Sequence, residues 1–257
     1  MPGEGAPALS VVVPFFQEEA CAASVCGELL AVLESLCPRF EILAVDDGSR
    51  DATPLILADF AARDRRFLHL RWEANRGQAA ALYWGLRAAR APILATMDGD
   101  GQNNPADLAA LLAALEGVDL VVGIRARRHD SRLRRAMSGL ANAVRGRLLR
   151  DGVRDSGCAL KLFRREVVDA LIPIRTLYSF IPALAAAAGF RVAQLEVRHR
   201  PRSGGASSYG LRVMLWRPLL DLLGVWWFTR RRFTLPRSTW TDPDAGGDPG
   251  RGGPVWG

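Results

Sequence analysis

PILATMDGDGQNNPADLAALL, residues 92–112, passes from an apolar run through an acidic, glycine-rich loop into a periodic apolar segment. Pro92 to Met97 has the length and burial character of an inner strand and stops at Asp98. Pro105 to Leu115 reads as a helix, with the preceding asparagines placed to cap it. Between the two, Asp98 and Asp100 are two apart and Gln102 lies two further on. Alternate residues of a loop can turn their oxygens toward one point. Two carboxylates and an amide oxygen suit a hard cation, Mg2+ or Mn2+, and such an ion would bridge to a diphosphate. Gly99 and Gly101 leave room for a phosphate to come close. The plainer reading of the loop is a solvated acidic turn.

Outward from this unit the pattern repeats. Leu9–Phe15, Glu41–Val45, Phe67–Leu70, Val118–Gly123 and Arg191–Arg198 read as strands. Ala20–Leu36, Asp51–Ala62 and Gly77–Ala89 read as helices, the second capped by Asp51 or Thr53. Strands alternating with helices predict an α/β fold, a mostly parallel central sheet flanked by helices. Asp46, Asp47 and Ser49 follow the second strand as Asp98 follows the fourth. Both clusters therefore belong at the carboxyl edge, where open α/β sheets bind ligands. Asp46 and Asp47 suit hydroxyl or base donors, although such a pair alone is a weak signal. Pro14-Phe-Phe-Gln-Glu18 stands where a dinucleotide-binding enzyme carries its glycine-rich turn, and no phosphate-loop lysine motif occurs. Lys161 is the sole lysine.

The chain has 257 residues, 49% hydrophobic and 24% charged, a globular composition. Its net charge is +7, carried almost wholly by arginine, which leaves nucleic acid, anionic lipid and phosphorylated substrates open as partners. The arginine-rich stretch from Arg125 to Asp155 contains no aromatic residue, which argues against a nucleic-acid groove. Cys21, Cys26, Cys37 and Cys158 show no metal-ligand spacing and are expected as buried free thiols in a reducing compartment. The first residues lack a signal-peptide pattern, and no run is long and apolar enough to span a bilayer. Leu211–Phe228 carries Trp216, Trp226 and Trp227 among leucines, is interrupted by Arg212, Arg217 and Asp221, and is trailed by Arg230, Arg231, Arg232 and Arg237. It suits amphipathic helices at an anionic membrane surface, with the charges facing water. Helices packed on the sheet, with Trp226 and Trp227 in the core, are the competing reading. Pro236–Gly257 is rich in Gly, Pro and Asp and is expected to be disordered.

The pieces in order are VVVPFFQEE (11–19), VDDGSRDAT (45–53), NRGQAAAL (75–82), MDGDGQNNP (97–105), GIRARR (123–128), RDSGCALKLFRREV (154–167) and HRPRSGGASSYG (199–210). Together they resemble a family 2 glycosyltransferase with the GT-A fold, in particular the dolichyl- and polyprenyl-phosphate sugar transferases. The likeness runs from Leu9 to Arg232. It implies residues 1–8 as a leader, 9–125 as a nucleotide-sugar-binding half, and 126–210 as the acceptor-binding, site-closing half of one domain. Membrane-associated helices would follow over 211–235 and a disordered tail over 236–257. The donor would be a UDP- or GDP-sugar and the acceptor a polyprenyl phosphate. The enzyme would sit peripherally on the cytoplasmic face of the cell membrane, through 211–232, or in the cytoplasm.

The resemblance also implies roles. Pro14 and Glu18 belong to the nucleotide pocket, and Asp47 is similar to the aspartate that meets base or ribose. Asp46, Ser49 and Gln78 are counted with the donor site. Asp98, Asp100 and Gln102 match the metal and diphosphate site, and Arg125 matches an arginine beside the diphosphate. Arg135, with Arg132 and Ser138, lies where the acceptor phosphate is held. Arg202 and Ser207 lie in a loop that closes over the donor. The chain departs from the pattern at Gly101, where leucine is common, at Ser208, where lysine is common, and at Leu177 and Tyr178, where relatives carry histidine. The implied reaction is direct displacement of the nucleoside diphosphate by a phosphate oxygen, with inversion. Such an acceptor is already ionised near neutral pH and needs no strong base. A GT-A transferase with a hydroxyl acceptor and a weakly active nucleotide-binding paralogue are the alternatives.

Overall fold

The computed structural model describes residues 5–125, 144–201 and 211–232, with 211–219 described by backbone alone. The strands are β1 Leu9–Phe15, β2 Phe40–Asp46, β3 Phe67–Arg71, β4 Ile93–Thr96, β5 Leu120–Arg125, β6 Lys161–Arg164 and β7 Val192–Val197. The helices are α1 Ala22–Leu36, α2 Thr53–Arg63, α3 Gln78–Ala88, α4 Asp107–Ala114, α5 Leu177–Ala187 and α6 Leu211–Arg231. A 3-10 helix spans Arg165–Ala170, and residues 144–149 are helical. The strands form one sheet in the order β3-β2-β1-β4-β6-β5-β7. All neighbours are parallel except β6, which runs antiparallel to β4 and to β5. This is the mixed, mostly parallel sheet of the GT-A arrangement.

Every residue of β1 and β2 is buried, as expected of strands covered on both faces. Val11, Val13 and Phe15 point toward the core shared with α1, Leu57 of α2 and α4. Val12 points the other way, into the core shared with α3, α5 and Leu222 and Val225 of α6. The period-two alternation thus sorts one apolar strand between two layers. At the amino edge Glu41 is almost fully buried. It accepts from Ser10 Oγ at 2.7 Å, from Arg90 N at 2.6 Å and from Arg90 Nε at 2.8 Å. That clasp satisfies a carboxylate no water can reach, far along the strands from the polar loops of the carboxyl edge.

Several expectations change. β6 and α5 fall in stretches to which the sequence alone assigns no element. The segment expected as amphipathic helices is one continuous helix, α6. Its Asp221 is half-buried, and one carboxylate oxygen accepts from Thr176 N at 3.1 Å and Thr176 Oγ1 at 2.6 Å, at the N-terminus of α5. α2 has no side-chain cap. Asp51 accepts from Thr53 N just before it, and Thr53 Oγ1 accepts from Glu18 N. Nor do the asparagines cap α4. Asn104 accepts from Ala106 N ahead of the helix, and Asn103 accepts from Asp98 N at 3.0 Å, folding the acidic loop onto itself.

Candidate functional site

The carboxyl ends of β1, β2, β4 and β5 bring the two aspartate clusters to one edge of the sheet. After β2, Asp46 Oδ1 accepts from Ser49 N at 2.9 Å, and Arg71 Nε stands 3.2 Å from its other oxygen. Ser49 Oγ accepts from Gln17 N, binding this loop to the one after β1. Asp47 Oδ1 and Oδ2 accept from the backbone N–H groups of Arg76 (2.6 Å) and Gly77 (2.8 Å), at the entry to α3. Burial pushes its carboxyl up from the ordinary range, against the pull of those two bonds. Asp46, Asp47 and Ser49 thus build the loop framework, and Asp47 fixes the turn that delivers Gln78. Glu18 accepts from the Cys21 thiol at 3.3 Å, and that thiol also reaches Gly99 O at 3.3 Å, so the loops after β1 and β4 touch through one cysteine.

Asp98 stands at the centre. Its Oδ1 accepts from Gln78 Nε2 at 2.6 Å. Burial first, and then the charge of Asp100, push its carboxyl up to about 6, while Lys161, Arg125 and the Gln78 bond pull it down. Asp100 Oδ1 accepts from Gln102 N at 3.1 Å. The Gln102 amide donates toward Arg200 O at 3.4 Å, and Arg200 N returns a bond to Gln102 O, so Gln102 also ties the loop to the chain after β7. The two glycines of the loop differ in purpose. Gly101 has φ +77°, where a side chain would be strained. Gly99 is required by packing: a Cβ there would lie 2.5 Å from the Phe15 ring and 2.8 Å from Pro14 O. The space expected beside Gly99 for a phosphate is filled by β1.

Arg125, at the end of β5, is gripped by Asp155: Nε at 2.8 Å, Nη2 at 2.7 Å, and its backbone N at 3.2 Å. The guanidinium is therefore held in one orientation, close enough to Asp98 to bias its charge. Pro14, Gln78, Leu82, Thr96, Met97, Asp98, Ala159, Lys161 and Tyr178 line a narrow hollow beneath the acidic loop. Lys161 is only 1% exposed. It pairs with Thr96 across the β4–β6 ladder and donates to Cys158 O. Reading the sequence missed this lysine and the buried Asp155. The signal for the first was a single lysine set between apolar neighbours in an otherwise all-arginine chain.

Among the described residues no group of three or more His, Cys, Asp or Glu gathers as a metal cluster. The chemistry of the loop still fits a hard cation. Two carboxylates of like charge lie near enough for one to raise the other's proton affinity, and both offer oxygen. Such an ion would take its remaining ligands from a diphosphate and water. Arg132, Arg135, Ser138, Arg202, Ser207 and Ser208 lie outside the described residues, as do the tail 236–257 and residues 1–4. Of the cysteines, Cys21, Cys26 and Cys158 are buried free thiols as expected, whereas Cys37 is half-exposed.

Residues 10–172 match the model of glycosyl transferase family 2. The chain is 36% identical over 228 residues to a dodecaprenyl-phosphate galacturonate synthase of Rhizobium johnstonii, covering 86% of this chain and 67% of that one. It is 34% identical over 209 residues to an undecaprenyl-phosphate 4-deoxy-4-formamido-L-arabinose transferase of Aeromonas hydrophila, covering 80% and 64%. The chain thus spans about two thirds of the length of these relatives. Among solved structures it is similar in fold to a mannosyltransferase from Pyrobaculum calidifontis in complex with GDP-Man and Mn2+ (TM-score 0.60, 20% identity, 90% of this chain and 66% of that one). It is also similar to glucosyl-3-phosphoglycerate synthase from Mycobacterium tuberculosis in complex with Mn2+, UDP and phosphoglyceric acid (TM-score 0.64, 21% identity, 84% and 77%).

Proposed function

The chain belongs to glycosyl transferase family 2, and from that premise we propose that it moves a hexose-type sugar from a UDP- or GDP-sugar to a polyprenyl phosphate, with inversion and with Mg2+ or Mn2+. The observation that carries the reading is the Asp98–Asp100 pair at the carboxyl edge, with the clamped Arg125 beside it. The two relatives named above, a synthase and a transferase, both carry a polyprenyl phosphate in their names, which supports that acceptor class.

Asp98 and Asp100 would hold the cation, which when bound supplies positive charge to the leaving diphosphate. Arg125, oriented by Asp155, adds a second positive group there at no cost in reorganisation. Asp47 holds the 76–77 turn, which places Gln78 on Asp98 and so fixes the carboxylate before any ligand arrives. Arg135 and Ser138 would hold the attacking phosphate, with Arg202 and Ser207 over the donor. A phosphate monoester arrives largely ionised, so positioning and charge carry the catalysis.

Membrane contact would be peripheral. No helix among the described residues is long and apolar enough to cross a bilayer. α6 buries Leu222 and Val225 against the body while Leu220, Leu223 and Trp227 stay exposed. Arg230 and Arg231 lie over the Trp226 and Trp227 rings at 4.7 and 5.5 Å. An apolar ridge with flanking cations suits an anionic lipid surface.

The test is transfer itself. Purified full chain with Mn2+ or Mg2+ is offered a panel of UDP- and GDP-sugars with polyprenyl phosphate. Wild type should form the lipid-linked sugar, and Asp100→Ala should lower kcat/KM by at least about a hundredfold. Undiminished turnover by Asp100→Ala would overturn the cation assignment. Turnover only with hydroxyl acceptors would overturn the lipid phosphate.

A further inference from the structure

The acidic loop has little stiffness of its own, because Gly99 and Gly101 alternate with Asp98, Asp100 and Gln102. Asp98 is held by Gln78 and, through its backbone N, by Asn103. The far half of the loop is held differently. Asp100 Oδ1 accepts from Gln102 N at 3.1 Å, so the carboxylate is placed by Gln102, and Gln102 is placed by the chain that follows β7. Residues 198–200 lie along this half. Asn103 and His199 form an isolated antiparallel bridge, Arg200 N donates to Gln102 O at 2.9 Å, and Gln102 Nε2 donates to Arg200 O at 3.4 Å. The arginines on either side of His199 are each fastened to a different helix. Arg200 grips Glu28 of α1 with both arms of its fork, Nη1 at 2.8 Å and Nη2 at 2.7 Å. Arg198 meets Asp107, the first residue of α4, through its backbone N at 2.7 Å and its Nε at 2.8 Å. A fork on a carboxylate fixes direction as well as distance. The Arg200–Glu28 pair is partly open to solvent and adds little to global stability, so its effect is local.

We propose that Glu28 and Arg200 are positioning residues for the acidic loop: their ion pair straps residues 198–200 over Gln102, and Gln102 in turn holds the Asp100 carboxylate where a cation and its diphosphate meet it. The fork fixes the Arg200 backbone, two hydrogen bonds from that backbone fix Gln102, and Gln102 N fixes Asp100. Both bonds to Gln102 are made by the main chain of Arg200. A change of its side chain leaves them available and only frees the strap from α1. A loop held in its binding shape before the ligand arrives loses less freedom on binding. The role in binding rests on the cation site proposed above, whereas the strap stands on these contacts alone.

Amide hydrogen exchange of the full chain is followed by mass spectrometry in wild type, Glu28→Arg, Arg200→Glu and the double reversal, with Glu28→Gln as the milder change should a reversal fail to fold. Each single change should speed exchange over residues 98–103 by at least about tenfold, while β1, β2 and the melting temperature stay near wild type. The double reversal should return the loop toward wild type, because it restores the pair with its ends exchanged. Unchanged exchange in the loop, or equal acceleration in the double reversal, overturns the strap. Faster exchange throughout β1 and β2 would assign the pair to overall stability and overturn it as well. Mn2+-dependent binding of UDP and GDP, measured by calorimetry on the same proteins, reads the consequence for the site. Each single change should weaken it by at least about fivefold, and the double reversal should recover it. A loosened loop with unaltered nucleotide affinity overturns the positioning role. Failure of wild type to bind either nucleotide with Mn2+ overturns the cation assignment instead, and hydrogen exchange still decides the strap.

Discussion

Asp98 is pulled in two directions, and its proton records the balance. Burial and the neighbouring Asp100 favour the neutral acid; Lys161, Arg125 and Gln78 favour the anion; the outcome is a carboxyl pushed up to about 6 from 3.8. A raised value means that the folded chain holds this proton more tightly than the unfolded chain. Its contribution to stability is therefore full below about pH 4 and is lost as pH climbs through about 6. A bound cation must displace the same proton. The rise in melting temperature given by Mn2+ with UDP or GDP should thus be large near pH 7.5 and shrink near about pH 5. Equal rises at both values would mean that Asp98 takes no part in cation binding. The residue scale is also where reading the sequence was most uneven. The spacing of Asp98, Asp100 and Gln102 was visible, but the partners were not. Gln102 spends its amide on Arg200, Gly99 answers to the Phe15 ring, and Asp47 answers to two backbone N–H groups.

At the scale of the element, strand and helix boundaries fall within a few residues of expectation, because period-two and helical spacings are local properties. β6 escaped notice because four residues carry little period. Its strand character comes from lying between β4 and β5. α5 contains Pro182, which lacks an N–H and argues locally against a helix interior, yet the segment stays helical with its buried face against the sheet. α6 is docked by Asp221, whose carboxylate serves the Thr176 N–H and hydroxyl at the start of α5. Asp221→Ala should cost about 1–3 kcal/mol in urea unfolding, the value of hydrogen bonds to a charged acceptor. It should also speed tryptic cleavage at Arg230–Arg232 in the native protein. Unchanged stability and cleavage would show that Leu222 and Val225 alone hold the helix.

For the molecule as a whole, α6 gathers three of the large apolar side chains that stay exposed among the described residues, Leu220, Leu223 and Trp227. Leu220 is 65% exposed and Trp227 56%, beside two arginines stacked on tryptophan rings. The triple variant Leu220→Ser, Leu223→Ser, Trp227→Ser removes apolar surface without touching the packed face. It should reduce sedimentation with phosphatidylglycerol-containing vesicles by at least about fivefold, while circular dichroism and melting stay near wild type. Equal sedimentation of the variant would move the lipid contact elsewhere. The expectation of a helix packed on the body holds for part of this segment but not for both of the tryptophans it named. Leu222 and Val225 join the core, Trp227 does not, and Trp226 lies between.

The amino-acid order alone determined the alternation of strands and helices, the edge at which the acidic loops emerge and the family to which the chain belongs. Each of these is written in short-range periodicity and in motif order. Only the tertiary structure decided what each polar side chain faces. A carboxylate settles on whichever donors the fold brings within about 3 Å, and several of those donors are tens of residues away in sequence. Gln78 reaches Asp98 across twenty residues, Arg125 meets Asp155 across thirty, and Thr96 faces Lys161 across a strand pair formed late in the chain. Long-range pairing of this kind leaves no local trace, which is why the surroundings of the lone lysine beneath the acidic loop came to light only in three dimensions.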